Sequence, residues 1–164
     1  MNNEFVVTKV NLQDAVQAEN VVNLLNQYAK DIMGGAQDLS DFVKQNLVRE
    51  LLKRPNSLVL MAYDGNIPVG LTIAFEGFST FYAKPLINIH DFVVSEAYRG
   101  KGIAKLILEE IEKIAIERGC CKLTLEVLEG NLRAQKIYKS FGFASYVLDE
   151  EMGKALFWDK KLPS

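Results

Sequence analysis

Apolar positions along this chain recur with two periods, and the switches between them mark out alternating strands and helices. Runs rich in β-branched and aromatic residues predict strands over residues 4–10, 58–63, 69–75 and 86–95. Asp64-Gly65-Asn66, between the second and third runs, is a hairpin signal. Val21, Leu25, Tyr28, Ala29 and Ile32 recur at helical spacing until Gly34-Gly35 stops them. A second helix is expected over 38–53, with Leu39, Phe42, Val43, Leu47 and Leu51 on one stripe and Pro55 ending it. The strongest amphipathic pattern covers 102–118. Ile103, Leu106, Ile107, Ile111, Ile114 and Ala115 face one way, Lys105, Glu109, Glu112, Lys113 and Glu117 the other, and Gly119 stands where a left-handed cap belongs. Residues 121–128 read as a strand, 131–140 as a short helix, and 143–147 and 154–160 as closing strands. The strand–helix–strand order of the second half makes at least one strand pair parallel, and the hairpins elsewhere make the sheet mixed. The fold class is α/β (α+β). With no repeat, linker or low-complexity stretch, residues 1–164 read as one domain.

Composition narrows the partners. Apolar residues make up 49% of the 164 and charged residues 24%, which excludes a disordered chain, a collagen-like fibre and a coiled coil. Nineteen basic against 21 acidic residues leave a net charge of −2, with no basic run longer than Lys160-Lys161, so no nucleic-acid partner is expected. No apolar run approaches the ~20 residues that span a bilayer. Met1-Asn2-Asn3-Glu4 lacks the charged and apolar regions of a signal peptide. A cytoplasmic protein without a membrane partner is the expectation. Cys120 and Cys121 are adjacent, and consecutive strand residues point to opposite faces, so the thiols are poorly placed to bridge each other. A single histidine and no Cys-x-x-Cys leave no metal site to expect.

The chemistry concentrates where a buried strand turns into the strongest helix, through Arg99-Gly100-Lys101-Gly102-Ile103-Ala104. Free N–H groups at a helix start, with the positive end of its dipole, favour an anion such as a pyrophosphate. Glycines at 100 and 102 let those groups approach phosphate oxygens with no Cβ in the way, and Arg99 and Lys101 add positive charge. Neither the Walker pattern nor the Rossmann fingerprint fits: the first has no match, and the second would need a small residue where Lys105 stands.

This hexapeptide resembles the Arg/Gln-x-x-Gly-x-Gly/Ala signature of the GNAT acetyltransferases. Downstream, Leu125-Glu126-Val127, Asn131, Ala134, Tyr138 and Phe141-Gly142-Phe143 are similar to the strand, helix and closing strand that surround the thioester in that family. The resemblance implies a twisted, mixed sheet of about six to seven strands with helices on both faces. It also implies acetyl-coenzyme A as co-substrate, lodged between splayed parallel strands over 87–95 and 123–128. Backbone groups of Phe92, Val93 and Val94 would pair with the pantetheine arm. Those of Arg99, Gly100, Lys101, Gly102, Ile103 and Ala104 would hold the pyrophosphate, and Asn131 would lie near the pantetheine. Asn131 is equally well explained as a helix N-cap. The implied activity is direct transfer of an acetyl group, in a ternary complex, to a primary amine of a small molecule or peptide.

Such transfer needs a proton acceptor for the amine and a proton donor for the departing thiolate. Tyr138 matches the family's donor position, although Ala134, Ile137 and Phe141 on the same helix face also suit a tyrosine at the edge of a core. Three candidate acceptors stay open. Glu126 is a carboxylate in an apolar run, an expensive placement unless the charge is solvated or used. Histidine is the side chain that exchanges protons near neutral pH, which points to His90. Asp91 is its neighbour, and strand alternation sends the two to opposite faces, so only one looks into the acceptor cleft. Of the aromatic cluster Phe75, Phe78, Phe81 and Tyr82, Phe78 and Tyr82 are candidates for a wall of the acceptor pocket. A covalent acetyl-cysteine is not expected, since a thiol needs a depressed pKa to attack. Two rival functions remain, a non-catalytic sensor of acyl-coenzyme A and an enzyme for a longer acyl group. Dimers are common in the family, so a homodimer belongs among the expectations.

Overall fold

The computed structural model describes residues 5–163. In chain order it contains β1 (Phe5–Lys9), α1 (Ala15–Lys30), α2 (Asp41–Leu52), β2 (Ser57–Asp64), β3 (Ile67–Ser79) and β4 (Lys84–Val94). These are followed by α3 (Ile103–Glu117), β5 (Leu123–Leu125), α4 (Leu132–Ser140), β6 (Val147–Asp149) and β7 (Gly153–Lys154). Glu4, expected in the first strand, lies outside the described residues. The five-stranded sheet has the order β1-β2-β3-β4-β5, antiparallel except for the parallel β4–β5 pair, so it is mixed as expected. Gly65 (φ 57°) and Asn66 form the β2–β3 hairpin turn.

Strand alternation supplies the sheet with two apolar faces. On one, Leu58, Leu60, Ala62, Val69, Ile87 and Ile89 pack under Ile103, Ile107, Leu108 and Ile111 of α3, with Ile137 of α4 and Phe141 just after it at the margin. On the other, Val59, Met61, Leu71, Ile73 and Val93 meet Val21 and Leu24 of α1 and Leu51 of α2. Helices therefore cover both faces of the sheet. Side chains close three of the helix starts. Asp14 accepts from Gln17 N–H (2.9 Å), Ser40 from Val43 N–H (3.3 Å) and Asn131 from Ala134 N–H (3.1 Å).

Several expected boundaries move, each for a local reason. α1 stops at Lys30 rather than at Gly34-Gly35, because extended Asp31 (φ −66°, ψ 147°) turns its carboxylate onto Met33 N–H and starts a short 3-10 turn. Ile32 is thereby lifted off the apolar stripe and is 80% exposed. α2 begins after its Ser40 cap, which leaves Leu39 outside the helix, and Phe42 points outward. β3 runs through Phe78, so Phe75 and Phe78 belong to a long hairpin and not to a connecting segment.

The closing strands also differ from the sequence expectation. Residues 143–146 are not a strand, and β6 and β7 pair with each other rather than extending the sheet. Residues 155–163 form no strand, and Leu156, Phe157 and Trp158 stay exposed. The alternation there suits a sheet, but a strand exists only with a neighbour, and the Ala155 N–H bond to Tyr146 O (3.2 Å) does not extend into a ladder. No helix among the described residues is long and apolar enough to cross a membrane.

Candidate functional site

The site begins with an irregularity in β4. Pairing with β3 runs regularly from Ser79↔Lys84 to Ala74↔Ile89, then jumps to Ile73↔Asp91, so His90 is an extra residue in the ladder. The bulge has two consequences. It reverses the parity of the strand: Ile87 and Ile89 before it, and Phe92 and Val94 after it, all pack toward α3, whereas Val93 packs toward α1. It also brings His90 and Asp91 to the same side, with His90 Nδ1 3.4 Å from Asp91 Oδ2. This corrects the expectation that alternation separates the two side chains. Buried Thr72 fixes the distorted backbone by donating its hydroxyl to Asp91 O at 2.9 Å.

The parallel partner ends at the same point. β5 pairs only through Ile87↔Leu123, Asn88↔Thr124 and Ile89↔Leu125, so β4 has no neighbour on that side beyond the bulge. Ser95 N–H donates to Val69 O (2.9 Å), which turns residue 95 toward β3. By alternation Val93 also spends its backbone groups on β3, while those of Phe92 and Val94 face the open edge.

The open edge leads into the glycine turn. Gly100 (φ 79°) and Gly102 (φ 86°) are both left-handed, and a Cβ built on either meets nothing within 4 Å. Close packing therefore does not explain these glycines. Their backbone conformation does, together with the empty space in front of them. Gly102 is the N-cap of α3 and, unlike Asp14, Ser40 and Asn131, offers no side chain to the helix start. Among the described residues, the N–H groups of 100–105 have no acceptor. Arg99 differs: its N–H is donated to Glu96 O (3.2 Å), its Nε to Val94 O (3.2 Å), and its Nη2 to Asp31 Oδ2 (2.9 Å). Lys101 Nζ lies 4.7 Å from the centre of the Tyr98 ring. Arg99 ties the turn to α1, so the anion-attracting groups of the turn are mainly backbone.

Across the open edge stands Tyr138 of α4. Its ring meets Phe92 edge-on (6.0 Å between centres) and Phe143 on another side (5.9 Å). Burial, reinforced by Tyr28, pushes its phenol up to about 12, so it carries its proton at neutral pH. Burial also pushes the Asp91 carboxyl up from its ordinary value, a shift partly offset by His90.

Known proteins resemble this chain in sequence and fold. The acetyltransferase (GNAT) family pattern matches residues 21–143. The chain belongs to the GNAT acetyltransferase family. Bovine (Bos taurus) thialysine N-epsilon-acetyltransferase is 33% identical over 96 residues, 58% of this chain and 53% of the relative. An L-ornithine N5-acetyltransferase of Arabidopsis thaliana is 30% identical over 76 residues, 46% of this chain and 33% of the relative. The chain thus spans about half the length, or less, of these curated relatives. These relatives are named N-acetyltransferases, that is, acyltransferases. An aminoglycoside acetyltransferase from an uncultured soil metagenomic sample superposes with a TM-score of 0.79 over 99% of both chains at 17% identity, which supports the fold.

Within this GNAT fold the remaining expected site residues scatter. Glu126 follows the end of β5 and is exposed, so it is not a charge forced into an apolar strand. The oxygen of Asn131 is occupied in capping α4. Phe78 and Tyr82 are exposed near the tip of the β3–β4 hairpin. Phe78 pairs with Pro85, five residues and therefore about 17 Å along the strand from His90. The structure does not bring them to the bulge. Ile103 is buried in the core and contributes to the turn only through its backbone, and Ala104 follows it in the first turn of α3.

Sequence reasoning missed two contributors. Tyr28 of α1 looked like one more apolar-stripe residue. Its phenol is nevertheless pushed up by burial and then by the charges of Asp91 and Asp31, so it shares the electrostatic surroundings of the same carboxylate. Asp31 looked like part of a helix, but it anchors Arg99, and the N–H of Met33 followed by the Arg99 guanidinium hold it below its ordinary pKa. Both signals depend on contacts between distant segments and leave no local pattern. Among the described residues no three His, Cys, Asp or Glu side chains group to hold a metal.

Proposed function

We propose that this chain is an acetyl-coenzyme A-dependent N-acetyltransferase that passes an acetyl group directly to a primary amine in a ternary complex. One observation carries the reading: a strand edge at Phe92–Val94 with no partner strand runs into a helix start with no side-chain cap, whose N–H groups have no acceptor among the described residues and whose glycines have open space where a Cβ would stand. Such an edge accepts an extended amide chain as an added strand, and such a turn accepts a diphosphate. Coenzyme A combines both features, and its acetyl thioester supplies the activated acyl group. Gly100, Lys101, Gly102, Ile103 and Ala104 would hold the diphosphate through their N–H groups, and Phe92 and Val94 would hold the pantetheine amides. Tyr138, protonated and half-buried beside Phe92, would give its proton to the departing thiolate. The relatives named for thialysine and L-ornithine favour an acceptor with a primary amine on a flexible chain.

The test is release of free thiol from acetyl-coenzyme A with a panel of lysine-like, diamine and aminosugar acceptors. Acetylation of at least one is expected. Tyr138→Phe should lower kcat by about 10²-fold or more, while coenzyme A affinity measured by calorimetry barely moves. An unaltered kcat removes Tyr138 from the mechanism. Tight coenzyme A binding without thiol release from any amine favours the sensor function instead.

A further inference from the structure

We propose that His90 and Asp91 work as a dyad, in which His90 takes the proton from the acceptor amine through Nε2 while Asp91 orients the imidazole through Nδ1. The inference rests on the acetyltransferase reading and adds the proton acceptor that reading lacks.

Four observations converge on this pair. The bulge places both side chains on one side of β4, with Nδ1 3.4 Å from Asp91 Oδ2. That separation is long for a finished hydrogen bond, as unliganded catalytic pairs often are. Burial is graded along the pair: the Asp91 side chain is 27% exposed and that of His90 64%, so the carboxylate sits behind and the imidazole in front. The Phe75 ring meets the imidazole edge-on at 5.6 Å between centres and limits its rotation. Finally, the pair occupies the point where β5 stops, one residue before the open edge at Phe92.

The surrounding charges leave Asp91 to His90. Arg99, the nearby guanidinium, is committed to Asp31, and no lysine or arginine among the described residues pairs with Asp91. Tyr28 of α1 feels the charges of Asp91 and of Asp31, the residue just after that helix, and Tyr138 of α4 in turn feels Tyr28. The Tyr28 hydroxyl is donated to Met33 O (3.4 Å), and among the described residues the imidazole is the cationic-capable side chain at ion-pair distance from the Asp91 carboxylate (3.4 Å). An imidazole that donates from Nδ1 to a carboxylate keeps its Nε2 lone pair free.

A primary alkyl amine needs such a base, because its ammonium form predominates until about three pH units above neutrality. The balance is as follows. The ammonium gives one proton to His90 Nε2, and the neutral nitrogen forms the C–N bond to the acetyl carbon. The C–S bond then breaks, and the thiolate takes the phenol proton of Tyr138. The nitrogen loses a second proton, which restores Tyr138, and His90 releases the first to water. The products are one amide, one free thiol and one proton, with no oxidant or reductant.

His90 is the only histidine in the chain, so nitrogen-15 NMR of untagged protein reports on it without assignment ambiguity. The neutral side chain is expected as the Nδ1–H tautomer in the parent protein and as the Nε2–H tautomer in Asp91→Asn. In steady-state kinetics His90→Gln should lower kcat about 10²-fold and abolish the acid-side fall of kcat. Asp91→Asn should lower kcat by about tenfold with little change in the KM for the amine. Calorimetric coenzyme A affinity equal to the parent's shows that each variant is folded. Should Asp91→Asn fail that control, the parent tautomer and His90→Gln still decide. An Nε2–H tautomer in the parent, or an unchanged kcat and acid limb in His90→Gln, overturns the dyad and leaves the acetyltransferase reading standing. A parent protein that binds coenzyme A and acetylates no amine overturns that reading and the role of the dyad with it.

Discussion

Residues 84–89 of β4 pair with β3 throughout and, over 87–89, with β5 as well, and Ile87 and Ile89 are sealed under α3. Residues 91–94 of the same strand keep only β3, with His90, unpaired in the ladder, between the two stretches. The composition along the strand hardly differs, since residues 84–89 and 90–94 are each mainly apolar with two polar residues. The difference comes from one inserted residue. Before His90 the backbone is fully used and the strand is structural. After it, one edge has no partner strand, the parity is reversed and two titratable side chains emerge together. An unpaired edge beside a buried core is normally a liability. Here it continues directly into the uncapped start of α3, and two unused backbone surfaces side by side describe a binding site better than they describe a defect.

The sharpest way to separate the halves is to damage each and ask what is lost. Ile87→Ala empties a fully buried position in the structural half and should cost about 2–5 kcal/mol of stability, read by urea denaturation. Coenzyme A affinity of the folded fraction should stay close to the parent's. A large loss of affinity with intact stability would mean that the halves are not separate in function. Gly102→Val attacks the other side of the comparison. A branched side chain at φ 86° is strained by about 1–2 kcal/mol and projects into the open space before the turn. Coenzyme A affinity should fall by about tenfold, equivalent to ~1.4 kcal/mol, when followed by calorimetry. Equal affinity would show that the turn holds no phosphate.

The regular parts of this molecule were readable from periodicity, and its irregular parts were not. The β2–β3 hairpin, the apolar face of α3, Gly119 (φ 71°) after that helix and the glycine turn all follow from residues close in sequence. The bulge does not. Within Ile87-Asn88-Ile89-His90-Asp91-Phe92, unbroken alternation is the simplest reading, and only the register against β3 reveals the extra residue. Glu126 was misplaced for the same reason, because β5 ends where its partner is lost, at Ile89↔Leu125. The segment from Ala155 onward shows the converse: it has the composition of a strand, and no adjacent ladder receives it. Local sequence specifies what a segment can pair with, and the topology decides whether a partner is there.

The mildest perturbation probes the open half without touching its backbone. Phe92→Leu keeps the edge of β4 and removes the ring that meets Tyr138 at 82°, a contact worth about 0.5–1.5 kcal/mol. The Tyr138 phenol is raised to about 12 chiefly by burial, so admitting water beside it should move its ionisation downward, toward that of an ordinary tyrosine. The sign also fixes the effect on stability. In the unfolded chain this phenol ionises near 10, whereas the folded protein holds the proton to about 12. Its contribution is therefore fully present below the lower value and is lost as the pH rises through the upper one. Phe92→Leu should narrow that window from the top, seen as earlier phenolate absorbance, with Tyr138→Phe as the reference that assigns the signal. If the absorbance titration of Phe92→Leu matches the parent's, the Phe92 ring does not keep water from Tyr138, and residue 92 acts through its backbone alone.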